Sequence, residues 1–396
     1  MIFLALIYLA FISLGLPDSL LGSTWPLMNV EFGGPMGNAG FVSIIISCGT
    51  IVSSLFSHRL IRLIGTGKVT VISVTMTAVA LLGFSFSPSF LWLLACAAPL
   101  GLGAGAVDSG LNEFVAEHYE AKHMNWLHCF WGVGAMLGPV LISALEQWGH
   151  TWRSGYFSIS MIQFALVVLL LFSLPMWKKF SKPTAGHTRE VPNTKVKHGL
   201  LAPFRVKGAV FALSTFFLYI SVEATIMLWG SSYLVKIKNI LPESAAGWIS
   251  LFFLGITAGR MLSGFVSMKL SNEALIRMGA ILVIAGLVLM LLPLPTLFTI
   301  VALVIIGFGL APIFPSMLHQ TPIHFGKENA QAAMGFQMAV AYTSTTLMPP
   351  LFGQLFAHVS FSLMPYVLLV CAFGLLAFSA RLASIAKLKR LEGEPS

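Results

Sequence analysis

Charge is what this sequence has least of. Only 9% of its 396 residues are Asp, Glu, Lys or Arg, against about 25% in a soluble domain, so a water-facing surface of ordinary chemistry cannot be assembled from it. A soluble enzyme is excluded. Disorder is excluded too, because unfolded chains combine low hydrophobicity with high net charge and this chain is 57% hydrophobic. Cysteine is scarce as well. Cys48, Cys96, Cys129 and Cys371 each stand alone in an apolar run, with no pair at metal-ligand spacing, so they read as small core residues. There is one long polar stretch, 177–203, too short for a sizeable extramembrane domain. No nucleophile–base pair or metal cluster marks a reaction centre, and no cofactor is expected.

What the chain has instead is long apolar runs. A membrane crossing takes about 20 apolar residues, and suitable runs lie at about 1–29, 40–64, 69–87, 90–116, 126–147, 154–176, 206–235, 245–268, 273–293, 296–319, 329–357 and 361–385. Twelve spans are therefore expected, with the first a permanent helix rather than a cleaved signal. The polar stretch divides them into an N-terminal six-helix bundle (1–176), a linker (177–205), a C-terminal six-helix bundle (206–386) and a tail (387–396). With a cytoplasmic N-terminus, all Lys and Arg except Arg153, Lys236 and Lys238 fall on the inner side. The positive-inside rule then makes both termini cytoplasmic. The net charge of +9 is thus a topology signal with some attraction for anionic lipid, not a nucleic-acid footprint.

Asp18, Asp108 and Glu223 sit well inside the expected spans. An acid at a helix centre costs about 2.5–3.5 kcal/mol on insertion scales, so the three together oppose insertion by about 8–10 kcal/mol. Such residues either bind and release a proton or Na⁺ or are structural carboxylates bonded to a neighbouring helix. Asn112 follows Asp108 by four residues and shares its helix face. His128 is either a proton relay or a hydrogen-bond donor. Trp131 and Trp229 offer flat faces suited to the C–H faces of a sugar, with packing as the alternative. Gln163, Gln337 and Tyr342 are uncharged hydrogen-bonding groups at similar depth. His319 and Gln320 are expected to cap the inner end of the tenth helix. The run Gly101, Gly103, Gly105 lacks the strand and βαβ context of a nucleotide loop, so it signals close helix approach, as do Gly134 and Gly138. No Lys or Arg is expected mid-membrane, which disfavours anionic substrates.

The halves also repeat. Asp18 falls over Glu223, and Ser57 over Ser263, at a nearly constant spacing, as expected of a duplicated six-helix unit. The 2–3 loop ends Arg62-Leu63-Ile64-Gly65-Thr66-Gly67-Lys68, echoed by Gly259-Arg260 through Gly264 to Lys269. With the basic mid-chain stretch, these features resemble the major facilitator superfamily over the whole length. Four further segments resemble its fucose:proton and glucose–mannose symporter branch. They are Gly15-Leu16-Pro17-Asp18-Ser19, Gly101 to Asn112, His128 through Gly132 to Pro139, and Ala311-Pro312-Ile313-Phe314-Pro315.

The resemblance implies an all-α membrane protein of two pseudo-symmetric bundles, monomeric, with helices 1, 4, 7 and 10 lining a central cavity. It implies an inner gate at Arg59, Arg62, Gly65, Arg260, Gly264 and Lys269, although the loop aspartate usual there is Arg62 in one half and Met268 in the other. The expected function is symport of a neutral sugar, a monosaccharide, with H⁺ or Na⁺ across the cell (inner) membrane, H⁺ being favoured. Drug:H⁺ antiport is the alternative. The coupling groups would be Asp18, Asp108, Glu223 and His128, and the sugar contacts Asn112, Trp131, Trp229, Gln337, Tyr342 and Gln163.

Overall fold

In hydrocarbon every backbone N–H and C=O must be satisfied within its own segment, which leaves a helix as the solution for each apolar run. The structure, a computed structural model, describes residues 2–119, 121–180, 206–326 and 330–391. Among them it forms helices throughout and no strand. In chain order the long helices are α1 (Ile2–Asp18 and Leu20–Phe32), α2 (Ala39–Ile64), α3 (Thr66–Ser85), α4 (Phe90–His118), α5 (Ala121–Gln147), α6 (Trp152–Phe180), α7 (Ala209–Lys238), α8 (Pro242–Val266), α9 (Asn272–Leu291), α10 (Thr296–Leu310 and Ile313–Phe325), α11 (Ala330–His358) and α12 (Met364–Leu391). Eleven are long and apolar enough to cross a membrane. The twelfth, α11, is 29 residues long and packs against α2, α7 and the second piece of α10. Linker residues 181–205 and tail residues 392–396 lie outside the described residues.

The duplication is visible in the packing. In the first bundle α1 pairs with α5, α2 and α3 with α4, and α3 with α6; six helices later α7 pairs with α11, α8 and α9 with α10, and α9 with α12. Two helices are broken at proline. Pro17 has no N–H to bond the carbonyl of Ser13 one turn back, and Gln163 Nε2 donates to that carbonyl at 2.9 Å instead. The break at Asp18–Ser19 therefore has its own acceptor satisfied by α6. Pro312 stands at the break in α10.

The bundles touch through α5 with α8, α2 with α11, and the second piece of α1 with α7. This seam closes at the ends away from the Arg59–Lys68 loop. Ser143 Oγ donates to the Glu243 carbonyl at 2.6 Å and Ser231 Oγ to the Ser23 carbonyl at 3.2 Å. Gly22 is part of the same closure: a Cβ there would lie 2.0 Å from the Met227 carbonyl oxygen. Gly22→Val should therefore hold the seam apart. Maleimide added to the purified protein should label a Cys placed at Ser231 faster in that variant than in the parent. Equal labelling at equal thermal stability would show that the seam does not depend on this contact.

Candidate functional site

Small residues bring α1 and α5 together at the site. A Cβ on Gly15 would sit 2.1 Å from the Trp131 carbonyl oxygen, and one on Gly134 2.1 Å from that of Ile12, so the backbones approach as closely as only glycine permits. That approach sets Trp131 beside the helix break. Its Nε1 donates to Asp18 Oδ2 at 2.8 Å. Asp108, on α4, accepts from Asn112 Nδ2 at 2.9 Å, the bond between positions four apart on one helix face.

Around these groups a cavity of about 350 Å³ lies between the bundles, lined by Asp18, Trp131, Gln163, Glu223 and Tyr342 among mostly apolar neighbours. A second space of about 380 Å³ shares Asp18, Trp131, Glu223 and Tyr342 with it and adds Asp108, His128, Arg260 and His319. It reaches Ser263, Gly264, Ser267 and Asn272. The combined cavity thus opens toward the end that carries the Arg59–Lys68 loop, and is closed at the other.

Three carboxylates line this cavity, in two kinds of surroundings. Glu223 on α7 is 7% exposed and meets Arg260 Nη2 at 3.5 Å, with Tyr219, one turn earlier, interacting with both. Arg260 also lies over the Trp131 ring, 5.1 Å from its centroid. A path of contacts therefore crosses from Asp18 on α1 through Trp131 on α5 to Arg260 on α8 and Glu223 on α7. Asp18 and Asp108, by contrast, have neutral donors.

Residues 7–349 match the sequence profile of the Major Facilitator Superfamily, and the broken helices, the duplicated packing and the central cavity fit that match. The chain belongs to the major facilitator superfamily. It is a multi-pass membrane transporter, not an enzyme. This superfamily member is 23% identical over 313 residues to the "Glucose/mannose transporter GlcP" of Bacillus subtilis, covering 78% of this chain and 77% of that protein. It is 27% identical over 277 residues to "Bypass of stop codon protein 6" of Saccharomyces cerevisiae, covering 65% of this chain and 55% of the yeast protein. The chain thus matches little more than half the length of that relative. Among solved structures, a mutant nucleoside transporter NupG superposes with a TM-score of 0.76 at 13% identity, covering 96% of this chain and 98% of that one. A mutant peptide transporter POT with sulfate gives 0.72 at 12% identity, covering 96% and 93%. These likenesses establish the fold.

Within this transporter, several residues take places other than those expected. Trp229 is fully buried, donates from Nε1 to the Pro349 carbonyl at 2.7 Å, and packs on Phe361. It faces α11 and its bonds are structural, so it offers no ring to the cavity. Gln337 is 1% exposed and accepts from Thr321 Oγ1 at 2.8 Å, beside a different cavity in the second bundle. Asn112 stands behind Asp108 and is absent from the residues lining either half of the transport cavity. Gln163 does line the cavity, but its Oε1 accepts from Thr77 at 2.6 Å while its amide serves Ser13.

The largest correction concerns Arg260. The loop motif places it at the inner gate, yet it lies six residues before the end of α8, about 9 Å along the axis at 1.5 Å per residue, and lines the cavity. The expectation of a cavity without a cation fails with it. Arg59 and Arg62 stay exposed at the end of α2, Gly65 makes the turn to α3 at φ +85°, and Gly264 and Lys269 are exposed near the cavity mouth. Glu113 pairs with His58 at 2.9 Å within the first bundle. His319 does not cap α10, which continues to Phe325; it faces the transport cavity. Tyr219 is a site residue that the sequence reading misses, although its position one turn before Glu223 is the available signal.

Proposed function

We propose that this transporter carries a neutral sugar, a monosaccharide, together with a cation by alternating access, with H⁺ as the coupling ion and Asp18 as its site. The observation that carries this reading is the difference between the carboxylates. A charge removed from water needs a partner of opposite sign; Glu223 has Arg260, whereas Asp18 has the indole N–H of Trp131. Neutralising Asp18 takes a cation from solution. A proton needs only the carboxylate itself, while Na⁺ needs several oxygen ligands around it, and the residue bonded to Asp18 is an N–H donor. Asp108 is a second carboxylate of the same kind, and His128 lines the same space.

The cavity accommodates a small substrate. Its two overlapping parts, about 350 and about 380 Å³, fall within the range of ligand pockets, about 300–1,000 Å³, which leaves room for a monosaccharide. Trp131 and Tyr342 supply aromatic surface in it, and the bacterial relative's name, a glucose/mannose transporter, points the same way. Arg260 is balanced by Glu223, so its presence is compatible with a neutral cargo. Counterflow of radiolabelled glucose and mannose in proteoliposomes, at varied pH and Na⁺, tests the proposal. Exchange of a hexose with accumulation driven by a pH gradient is expected. Failure of every hexose to exchange, with lipophilic cations exchanging instead, would favour drug:H⁺ antiport.

The proposal includes a cavity mouth facing the cytoplasm of the cell (inner) membrane with both termini inside, which the basic loops support through the positive-inside rule, and a protein acting as a monomer. External labelling should then reach a Cys at Asn239, in the α7–α8 turn, but not one at Thr194 in the linker. The reverse pattern would invert the orientation and make the open face external.

A further inference from the structure

The second piece of α10 is a wall between two cavities. Phe314, Pro315, Ser316 and His319 face the transport cavity, whereas Met317, Gln320, Thr321 and His324 face a separate space of about 540 Å³ inside the second bundle. That space is closed in by α7, α9 and α12 and takes no part in the transport path described above. Its chemistry differs as well. Arg277 on α9 and Lys387 on α12 both line it, and among the described residues neither has an ion-pair partner. Hydroxyl and amide groups of Thr215, Gln320, Ser379 and Ser384 complete the wall. The first turn of α9, capped by Ser271, points its positive end into the same space. One carboxylate, Glu273, lies in that first turn, where the helix dipole favours it.

We propose that this cavity binds a phosphate group, carried either by an anionic lipid headgroup or by a soluble phosphate ester, and that the bound group braces the second piece of α10. A guanidinium and an ammonium lining one space provide charge-assisted hydrogen bonds to phosphate oxygens, with the Gln320 amide as a neutral donor beside them; the hydroxyls of Thr215, Ser379 and Ser384 donate to backbone carbonyls of their own helices. The cavity lies at the end of the bundle that carries Lys269, where the phosphates of the cytoplasm and of the inner leaflet are within reach. Because the two faces of one thirteen-residue helix line the two cavities, an occupant on one side restricts motion on the other. The Ala311–Pro312 break lets that piece move without unfolding the first.

The test uses the full-length protein in nanodiscs with no transport substrate present, so its outcome is separate from that of the sugar proposal. Glycerol 3-phosphate is added to discs of phosphatidylcholine, and in a parallel arm a fifth or so of the lipid is phosphatidylglycerol with no soluble phosphate. A rise in melting temperature in the first arm identifies a soluble ester, and a rise in the second a headgroup; either supports the site. Arg277→Gln and Lys387→Gln, made separately, should each weaken the binding about tenfold, the loss expected for one charge-assisted bond. Both residues are exposed, so each variant should melt normally without ligand. No rise in either arm, or a rise undiminished in both variants, overturns the proposal. In a background without native cysteines, the ligand should also change the labelling rate of a Cys at Ser263 in the transport cavity. An unchanged rate would overturn the bracing of α10.

Discussion

Asp18→Asn should abolish accumulation of sugar against a gradient and leave exchange of sugar across the membrane intact. The amide keeps the shape of the carboxylate and can still accept from Trp131 Nε1, now 2.8 Å from Oδ2, so the local packing of α1 on α5 is retained. What it loses is the ability to take and release a proton. Accumulation requires that net cation movement accompany the sugar, whereas exchange requires only that the loaded carrier reorient. The measurement is paired: pH-gradient-driven uptake and counterflow in the same proteoliposomes. The expected loss of uptake is complete, to the rate of empty liposomes, with counterflow within a few-fold of the parent. Unchanged accumulation would remove Asp18 from the coupling role and pass it to Asp108. Loss of both activities with a normal melting temperature would instead assign Asp18 to sugar binding.

A large stability effect is expected at the Glu223–Arg260 pair. Removing one member of a buried ion pair leaves an uncompensated charge and costs about 3–5 kcal/mol, while replacing both members by neutral groups of similar shape is often close to neutral. Arg260→Met should accordingly lower the melting temperature of the purified protein severely. Glu223→Gln added to it should recover most of the loss, although the stacking of the guanidinium on Trp131, 5.1 Å away, goes with the arginine and about 0.5–2 kcal/mol of it is not recovered. Thermal unfolding of the two single variants and the double variant closes the cycle. Additive losses would mean that the 3.5 Å contact carries no coupling energy.

These expectations show where one-dimensional reading succeeds. Helix number and approximate bounds follow from run length because hydrocarbon permits one backbone solution, and the runs at 90–116 and 126–147 agree closely with α4 and α5. Gly134 and Gly138 were legible as sites of close helix approach, whereas the break at Asp18 went unread although Pro17 is its signal. Depth was legible for the acids, since an apolar stretch on both sides of Asp18, Asp108 or Glu223 fixes it. Azimuth was not. Trp229 and Met227 are two residues apart on α7, but Met227 lines the cavity while Trp229 turns to Pro349 on α11; only the neighbouring helices decide which face is which. Gln337 was misplaced for the same reason. Arg260 was misplaced for a different one: the motif suggested a loop, while α8 runs on to Val266 and carries the side chain inward, where Glu223 offsets its charge. The correspondence of Asp18 with Glu223 in the repeat concealed this asymmetry, because equivalent positions in the two halves have acquired different partners.

The contact between α1 and α5, where Gly15 and Gly134 leave no room for a side chain, fixes Asp18 and Trp131 within one rigid half. The residues that meet them across the cavity, Arg260, Glu223 and Tyr342, all belong to the other half. With Asp18 as the proposed coupling site, energy coupling and much of the cargo-facing surface fall on separate halves of the duplicated fold, which are free to diverge. On that proposal, substitutions on α7, α8 and α11 would retune what is carried without disturbing the carboxylate that takes the cation, so a change of cargo would not entail the loss of concentrating power.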